Sequence, residues 1–338
     1  MPITTIAELA GVSPPTVSKV LNGRHGVGRE TRQRVEALLR DHGYRRPLPA
    51  TATPCLEVVF DQMLGSIAVE ILRGVADVAG ERDCTVGFTD VRRQLSADAL
   101  WVEPLLRRRP TAVIIVCSMA NARHSDRLSA SGIPLVAIDP IGELFATPAV
   151  GSNNWSGALS ATRHLLDLGH RRIGVLTGPV RDLSARARLD GFRAALDHAG
   201  IPVDDSLEQR GLFTFEDGRE LGLRLLALTR RPTAIVCGDD LQALGVYEAA
   251  RRVGVRIPDD LSVVGFDDVD QAAWAAPPLT TVRQQFAQMG ATAAGLALSL
   301  AAGQEPTQDR YELDTTLVVR GSTGRPPAGP PAVDPTLI

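Results

Sequence analysis

The chain has 338 residues, 44% hydrophobic and 22% charged, with a formal net charge of −3. This is an ordinary globular composition, long enough for two or three domains with cores of their own, and it excludes a protein that is basic throughout. The charge is uneven: the first 49 residues carry eight Lys or Arg against four acids, a local +4, which leaves −7 on the rest. A small basic head on an acidic body is the footprint of phosphate contact, and equally of a solvated helix face.

The N-terminus, MPITTIAELAGV, has neither the basic start nor the long apolar stretch of a signal peptide, and no run approaches a membrane span. A soluble, cytoplasmic protein with no membrane partner is expected. The cysteines Cys55, Cys84, Cys117 and Cys237 are too dispersed for a disulfide framework or a zinc site.

Residues 3–43 read as helices only. The first starts at Pro2 or Ile3, with Thr5–Glu8 as a competing capping box, and ends before Gly11. A tight turn at Gly11-Val12-Ser13 leads into a second helix, which Ser13 is placed to cap. Pro14 and Pro15 fall in its first turn, where a missing N–H costs little. Two short helices at a steep angle let the outer face of the second enter a DNA major groove. A third runs from about Arg29 to His42, with Val35, Leu38 and Leu39 inward and Gly43 as the stop.

Residues 44–54, YRRPLPATATP, are a proline-punctuated linker. Beyond it the pattern alternates. Strands are expected at 56–60, 112–118, 134–139, 172–178, 234–239 and 261–268. Helices are expected at about 66–81, 98–109, 154–168, 186–199, 217–229 and 240–253. Alternation of this kind means right-handed crossovers and parallel sheets covered on both faces. A pause near residues 148–154 divides it into two lobes. A helix at 286–302, one strand near 311–320 and a disordered Pro/Gly-rich tail from Gly321 complete the chain.

Ligands of open parallel sheets bind beyond the carboxyl ends of the strands. Several strands here end in acids: Asp139, Asp239, Asp267 and Asp268. With the guanidinium fork of Arg188 and the flat ring of Phe213, they describe a site for a sugar or nucleoside. Each has a plain structural reading as well. An Asp after a strand is often a helix cap, the preferred reading for Asp240. Arg188 fits a surface ion pair, and Phe213 fits a core. GxSxG, GxxxxGK[ST], GxGxxG and HExxH are all missing from the sequence, and the six histidines show no metal spacing. No catalytic residues, metal or cofactor are expected. His170, in LGHRRI, reads as structural.

Head and body together resemble the LacI/GalR family of bacterial transcription regulators. AGVSPPTVSKVLNG, VGRETRQRV and HGY carry the resemblance in the head. LGHRRIGVLTGP, SARARLDGFRAAL, PTAIVCGDDLQALGVYEAARRVGVRIPDDLSVVGFDD and PPLTTVRQ carry it in the body. The resemblance implies a small all-α helix-turn-helix head, residues 1–46, and a linker or hinge at 47–54. An α/β two-lobe body with parallel sheets, like a periplasmic sugar-binding protein, follows at 55–320. Its N-lobe would take about 55–150 and 281–308, its C-lobe about 151–278 and 310–320, with crossovers near 148–152, 277–281 and 307–311. Residues 321–338 would be the tail.

The resemblance also implies a homodimer reading a pseudo-palindromic double-stranded operator, one head per half-site. A small effector in the cleft between lobes, a mono- or oligosaccharide, would release a repressor. The alternatives are a co-repressor effector, such as a purine or sugar phosphate, and, further off, a sugar-binding protein or an enzyme using the cleft acids. Matched by position, Thr16, Ser18, Lys19 and Asn22 lie on the outer face of the second helix, with Val17, Val20 and Leu21 inside. Pro14 and Pro15 shift readout toward thymine methyls, so Thr16 and Lys19 carry more of the specificity. Ser13, Arg24, Thr31 and Tyr44 are implied phosphate contacts. The matching effector positions are Asp139, Ser184, Arg188, Phe213, Asp239 and Asp267, with Asp182 a looser match. Trp155 and Trp274 read as packing residues first and stacking rings second. The linker departs from the family pattern. Leu48 stands between Pro47 and Pro49, which argues against a hinge helix with a leucine wedge, and leaves Arg45 and Arg46 to reach phosphates or a narrow groove.

Overall fold

The structure is a computed structural model and describes residues 3–21, 26–42, 53–60, 65–91, 101–116, 122–140 and 147–327. Asn22, Arg24, Tyr44, Arg45, Arg46, Leu48 and Cys117 lie outside the described residues, as do 328–338.

The head is three helices, α1 (Ile3–Ala10), α2 (Pro14–Leu21) and α3 (Arg29–Asp41). The helical start at Ile3 places Thr5 inside α1 and excludes the capping-box start. Gly11, at φ 62°, ends α1. The Gly11 N–H reaches Glu8 O at 3.1 Å and the Val12 N–H reaches Ala7 O at 3.0 Å, the paired bonds of a Schellman turn. Val12 then packs on a core of Ile6, Ala7, Ala10, Val17, Val20, Leu21, Val35 and Leu39. Val17 is fully buried and Val20 and Leu21 nearly so, which is the inner face the spacing calls for.

The chain divides into two units, Met1–Gly151 with Phe286–Tyr311, and Ser152–Gln285 with Glu312–Ile338. The first holds β1 (Cys55–Phe60), β2 (Thr85–Asp90), β3 (Ala112–Val116), β4 (Leu135–Ile138) and β5 (Ala149–Ser152), with helices α4 (Gly65–Gly80), α5 (Val102–Arg108) and α6 (Ala122–Ala130). The second holds β6 (Ile173–Thr177), β7 (Glu208–Arg210), β8 (Ala234–Val236), β9 (Ser262–Asp267) and β10 (Thr280–Arg283). Its helices are α7 (Asn154–Asp167), α8 (Leu183–His198), α9 (Phe215–Leu226), α10 (Asp240–Arg252) and α11 (Asp270–Trp274). Helix α12 (Phe286–Ala301) returns to the first unit. Two short strands follow, β11 (Arg310–Leu313) and β12 (Thr316–Val318).

The sheets run β11-β5-β4-β3-β1-β2 and β12-β10-β9-β8-β6-β7. Helices connect β1 to β2, β3 to β4, β6 to β7, β8 to β9 and β9 to β10, β4 pairs in parallel with β5, and β12 runs antiparallel to β10. Strands β6, β8 and β9 are buried along their whole length, so they read as continuous apolar runs. In the second unit α7 and α8 cover one core, with Ala161, Leu165, Phe192 and Phe266. Helices α9 and α10 cover another, with Leu221, Leu225, Val246 and Val263. Fully burying a side chain such as Leu165 is worth about 1.5–3 kcal/mol.

Three expectations need correction. The strand near 311–320 is two strands in different sheets, broken at Asp314 and Thr315. The middle crossover falls at Gln285–Phe286, not at 277–281, because Thr280–Arg283 pairs in parallel register with Val264–Asp267. Residues 321–327 are ordered. Ser322 is fully buried, and its Oγ donates to Val263 O at 2.6 Å while its carbonyl accepts the Val263 N–H at 2.9 Å. A Pro/Gly-rich segment therefore need not be loose when its backbone has the start of a strand, ahead of that strand's neighbour, to bind.

Candidate functional site

The second unit gathers its polar groups at the carboxyl ends of β6, β8 and β9. Asp182 caps α8, its Oδ1 accepting the N–H groups of Ser184 at 2.9 Å and Ala185 at 3.3 Å. The Ser184 hydroxyl donates to the same oxygen at 2.7 Å, so it serves the cap. Capped this way, α8 buries Arg188 in its second turn, 8% exposed. The Arg188 Nε donates to Asn154 Oδ1 at 2.8 Å, and one terminal nitrogen donates to Gly238 O. The other lies 3.5 Å from Asp267 Oδ1. The guanidinium stands 3.9 Å from the centre of the Phe266 ring and 5.6 Å from that of Phe213. A planar cation held between rings and acceptors is fixed in place before any ligand arrives.

Phe213 is itself held at φ 60°. Its ring lies over Gly178 and Gly238, where any Cβ would collide with it. Gln242, fully buried, ties two strand ends together: its Oε1 accepts from the Gly238 N–H at 3.0 Å and its Nε2 donates to Thr177 O at 3.3 Å.

The capping role expected of Asp240 belongs to Asp239, whose Oδ1 accepts the Gln242 N–H at 2.7 Å. Strand β8 ends at Val236, three residues short of Asp239, which leaves Asp239 in extended backbone as the cap and Asp240 as the first helical residue. Asp240 is buried instead, accepting from Thr281 Oγ1 at 2.5 Å and the Val269 N–H at 2.9 Å. Asp267, 8% exposed, accepts from Gln284 Nε2 at 2.6 Å. Burial pushes the Asp239 carboxyl up to about 7, reinforced by the charge of Asp267 and opposed by the Gln242 N–H and Arg188. Burial also raises Asp240 and Asp267, the latter against the pull of Arg188 and Gln284. Shared low-dielectric surroundings make each carboxylate resist ionisation beside the others.

Among the described residues, six non-glycine positions have positive φ: Asp83, Arg109, Asp139, Phe213, Asp267 and Asp268. Three of them lie at this cluster, Phe213, Asp267 and Asp268. Strained backbone of this kind persists where the surroundings over-determine it, often at ligand sites. Asp268 is fixed by Arg283 at 2.7 Å and Arg320 at 2.6 Å. Asp139 occupies the equivalent place in the first unit, just past β4, at φ 47° with its N–H on Val150 O at 2.9 Å.

Arg188, Asp239, Asp267 and Phe213 thus share one cluster, with Ser184 turned to the helix cap. Trp155 and Trp274 are 43% and 74% exposed, so neither is a packing residue of this chain. Asn154, Gln242 and Gln284 complete the cluster. Gln242 and Gln284 lie within the family-like stretches GDDLQALG and PPLTTVRQ, and no residue pattern marks any of the three as part of a site. His170 is buried, as a structural residue should be, with Nδ1 2.9 Å from Thr233 Oγ1 and Nε2 2.9 Å from Gly324 O.

On the head, Ser13, Pro14, Pro15 and Lys19 are exposed, and Thr16, Ser18 and Thr31 partly so. Ser13 opens α2 through its carbonyl, which accepts the Thr16 N–H at 2.9 Å, while its hydroxyl meets the Thr16 hydroxyl at 2.9 Å. The expected side-chain cap is therefore a hydroxyl pair on the outer surface of the helix.

Among the described residues, no group of three or more His, Cys, Asp or Glu could hold a metal ion, and no helix is long and apolar enough to cross a membrane.

The family profile described as bacterial regulatory proteins, lacI family, matches residues 3–47, and that of the periplasmic binding protein-like domain matches residues 162–323. The HTH-type transcriptional regulator MalR of Streptomyces coelicolor is 35% identical over 96% of this chain and 97% of its own length. The structure of a transcriptional regulator CelR–cellobiose complex superposes with a TM-score of 0.73 at 29% identity, covering 95% of this chain and 99% of that one. The lac repressor dimer bound to operator and the anti-inducer ONPF gives 0.70 at 27% identity, covering 96% and 99%. A helix-turn-helix head ahead of two parallel-sheet units, matched along nearly its whole length, places this chain in the LacI family: it is a DNA-binding transcriptional regulator.

Proposed function

We propose that this regulator is a cytoplasmic, homodimeric repressor of a pseudo-palindromic operator, and that a small sugar-like effector controls its affinity for DNA. The observation that carries the effector reading is the buried pairing of Arg188 with Asp267 at strand ends, beside Asp239 and under Phe213. A planar fork facing a carboxylate grips vicinal hydroxyls from both sides, and buried polar groups reject analogues that leave them unpaired. The similar CelR structure holds cellobiose. Asp139 lies at the matching strand end of the first unit, and Ser184 contributes through the cap that fixes α8. Arg188 is committed to two acceptors and an ion pair, an arrangement for holding a ligand and not for turning one over.

In the head, α2 reads the major groove. Pro14 and Pro15 make apolar contacts, Thr16, Ser18, Lys19 and Asn22 face base edges, and Ser13, Arg24, Thr31, Tyr44, Arg45 and Arg46 contact the backbone. The paired hydroxyls of Ser13 and Thr16 present one pre-arranged polar unit at the start of α2.

The test is a gel-shift titration of the full chain on its own promoter, with and without mono- and oligosaccharides. A salt-sensitive, sequence-selective shift, released by one of the sugars, is expected. A protein that shifts no promoter fragment selectively in any ligand state refutes the reading.

A further inference from the structure

The cluster at the carboxyl ends of β8 and β9 holds more carboxyl groups than cations. Asp239, Asp240 and Asp267 are 7%, 1% and 8% exposed, and the one buried cation facing them among the described residues is Arg188 of α8. The partners of Asp240 are neutral, the Thr281 hydroxyl and the Val269 N–H. Asp182, before α8, adds a further negative charge that bears on Asp267.

A second, independent feature lies at the same spot. Gln284, 6% exposed, follows β10, and its Nε2 donates to Asp267 Oδ1 at 2.6 Å. That contact fixes the orientation of the amide, because the reverse would set oxygen against carboxylate. Its Oε1 is buried with no hydrogen-bond partner. An orphaned buried acceptor is costly, and here it lies beside Asp267, in a cluster of three buried carboxyls and one guanidinium. The unmet demand at Gln284 is for a hydrogen-bond donor, and a positive one would let the neighbouring carboxyls ionise beside it.

We infer that the ligand of this cluster is a polyol carrying a protonated amine, an amino sugar, taken in preference to the neutral sugar of the same shape. This rests on the effector reading above and deepens it. The ammonium sits against Asp239 and Asp267, and a neighbouring hydroxyl donates to Gln284 Oε1. An ammonium and a hydroxyl are nearly equal in size, so charge and donor number make the discrimination.

The test is calorimetric titration of the full chain at neutral pH with matched pairs: glucosamine and glucose, galactosamine and galactose, and the β-1,4-linked glucosamine disaccharide and cellobiose. In at least one pair the amine is expected to bind at least about tenfold more tightly, the margin of a charge-assisted over a neutral hydrogen bond. The N-acetylated form, which keeps the skeleton and loses the charge, is expected to lose that margin. So is Asp239→Asn, which preserves the helix cap. Equal or tighter binding of the neutral partner overturns the inference and leaves the effector reading standing. A margin that survives N-acetylation, or that survives in a folded Asp239→Asn protein, also overturns it. Silence of every sugar, charged or neutral, overturns the inference and the sugar reading together.

Discussion

The head and the strand-end cluster of the second unit deal with polar groups in opposite ways. At α2 they are solvated: Ser13 precedes the helix, Lys19 stands on it, and the two prolines sit where a helix tolerates them. In the second unit they are desolvated. Arg188, Asp239 and Asp267 are buried, raised carboxylates crowd one guanidinium, and Phe213 and Asp267 accept positive φ. The difference follows from the partners proposed for them. A duplex brings dense charge of its own and can be met by exposed groups, whereas a small ligand must draw its binding energy from groups held apart from water. The head can therefore be regular and cheap to fold, and the strand-end cluster stores instability that a ligand relieves.

Breaking the buried pair should have the largest effect. Arg188→Ala leaves Asp267 and Asp239 without their cation and is expected to destabilise the protein by about 3–5 kcal/mol. Urea unfolding measures this, and a loss below about 1 kcal/mol would mean that the pair is solvated after all.

Next comes pH. The Asp239 carboxyl titrates near 7 when folded, above its ordinary value of 3.8. The folded state thus holds a proton that the unfolded chain has released, so stability is fullest below about pH 4 for this group and declines as pH rises toward 7. The slope is at most about 1.4 kcal/mol per pH unit. Asp240 and Asp267 are raised too and act in the same direction. Asp239→Asn should flatten the decline and stabilise the protein at alkaline pH. Urea midpoints that fall equally with pH in variant and parent contradict the assignment.

On the head, Lys19→Gln should weaken the cognate operator by about 1–3 kcal/mol and a scrambled duplex by less. A loss of equal size on both would make Lys19 a phosphate contact and bring the two regions closer in kind. The smallest effect is expected from Gly11→Ala, which forces a side chain into φ 62° and should cost the head about 1 kcal/mol. Hydrogen exchange in α1 and α2 reads it, and exchange in α8 should not change.

The sequence carried the elements with strong periodicity and lost those without it. The buried runs at 56–60, 234–239 and 261–268 were legible because continuous Val and Ile have few other homes. Thr280–Arg283 was not, since four residues behind two prolines show no pattern, and missing it displaced the middle crossover. Strands β2, β5 and β7 and helices α6 and α11 were missed for the same reason, being short, polar or both. In the cluster, Asp239 and Asp267 were legible as acids at the ends of apolar runs, and Arg188 as a guanidinium within SARARLDGF. Asn154, Gln242 and Gln284 were not, because a neutral amide looks the same in sequence whether it faces water or closes a buried network. The exchanged roles of Asp239 and Asp240 turned on where β8 stops, which two adjacent aspartates cannot reveal.

The path of the chain through its two units also sets an order of birth. The core of the head is drawn from residues 6–39 and is complete early in synthesis. The first unit waits for residues 286–311, and the second waits for the stretch from 312 that carries β12 and Ser322. Each nascent copy thus passes through a stage in which it owns a finished head and no finished sensor. A message cut short before codon 286 leaves its product there permanently, with the core of its head complete and both of its units unfinished.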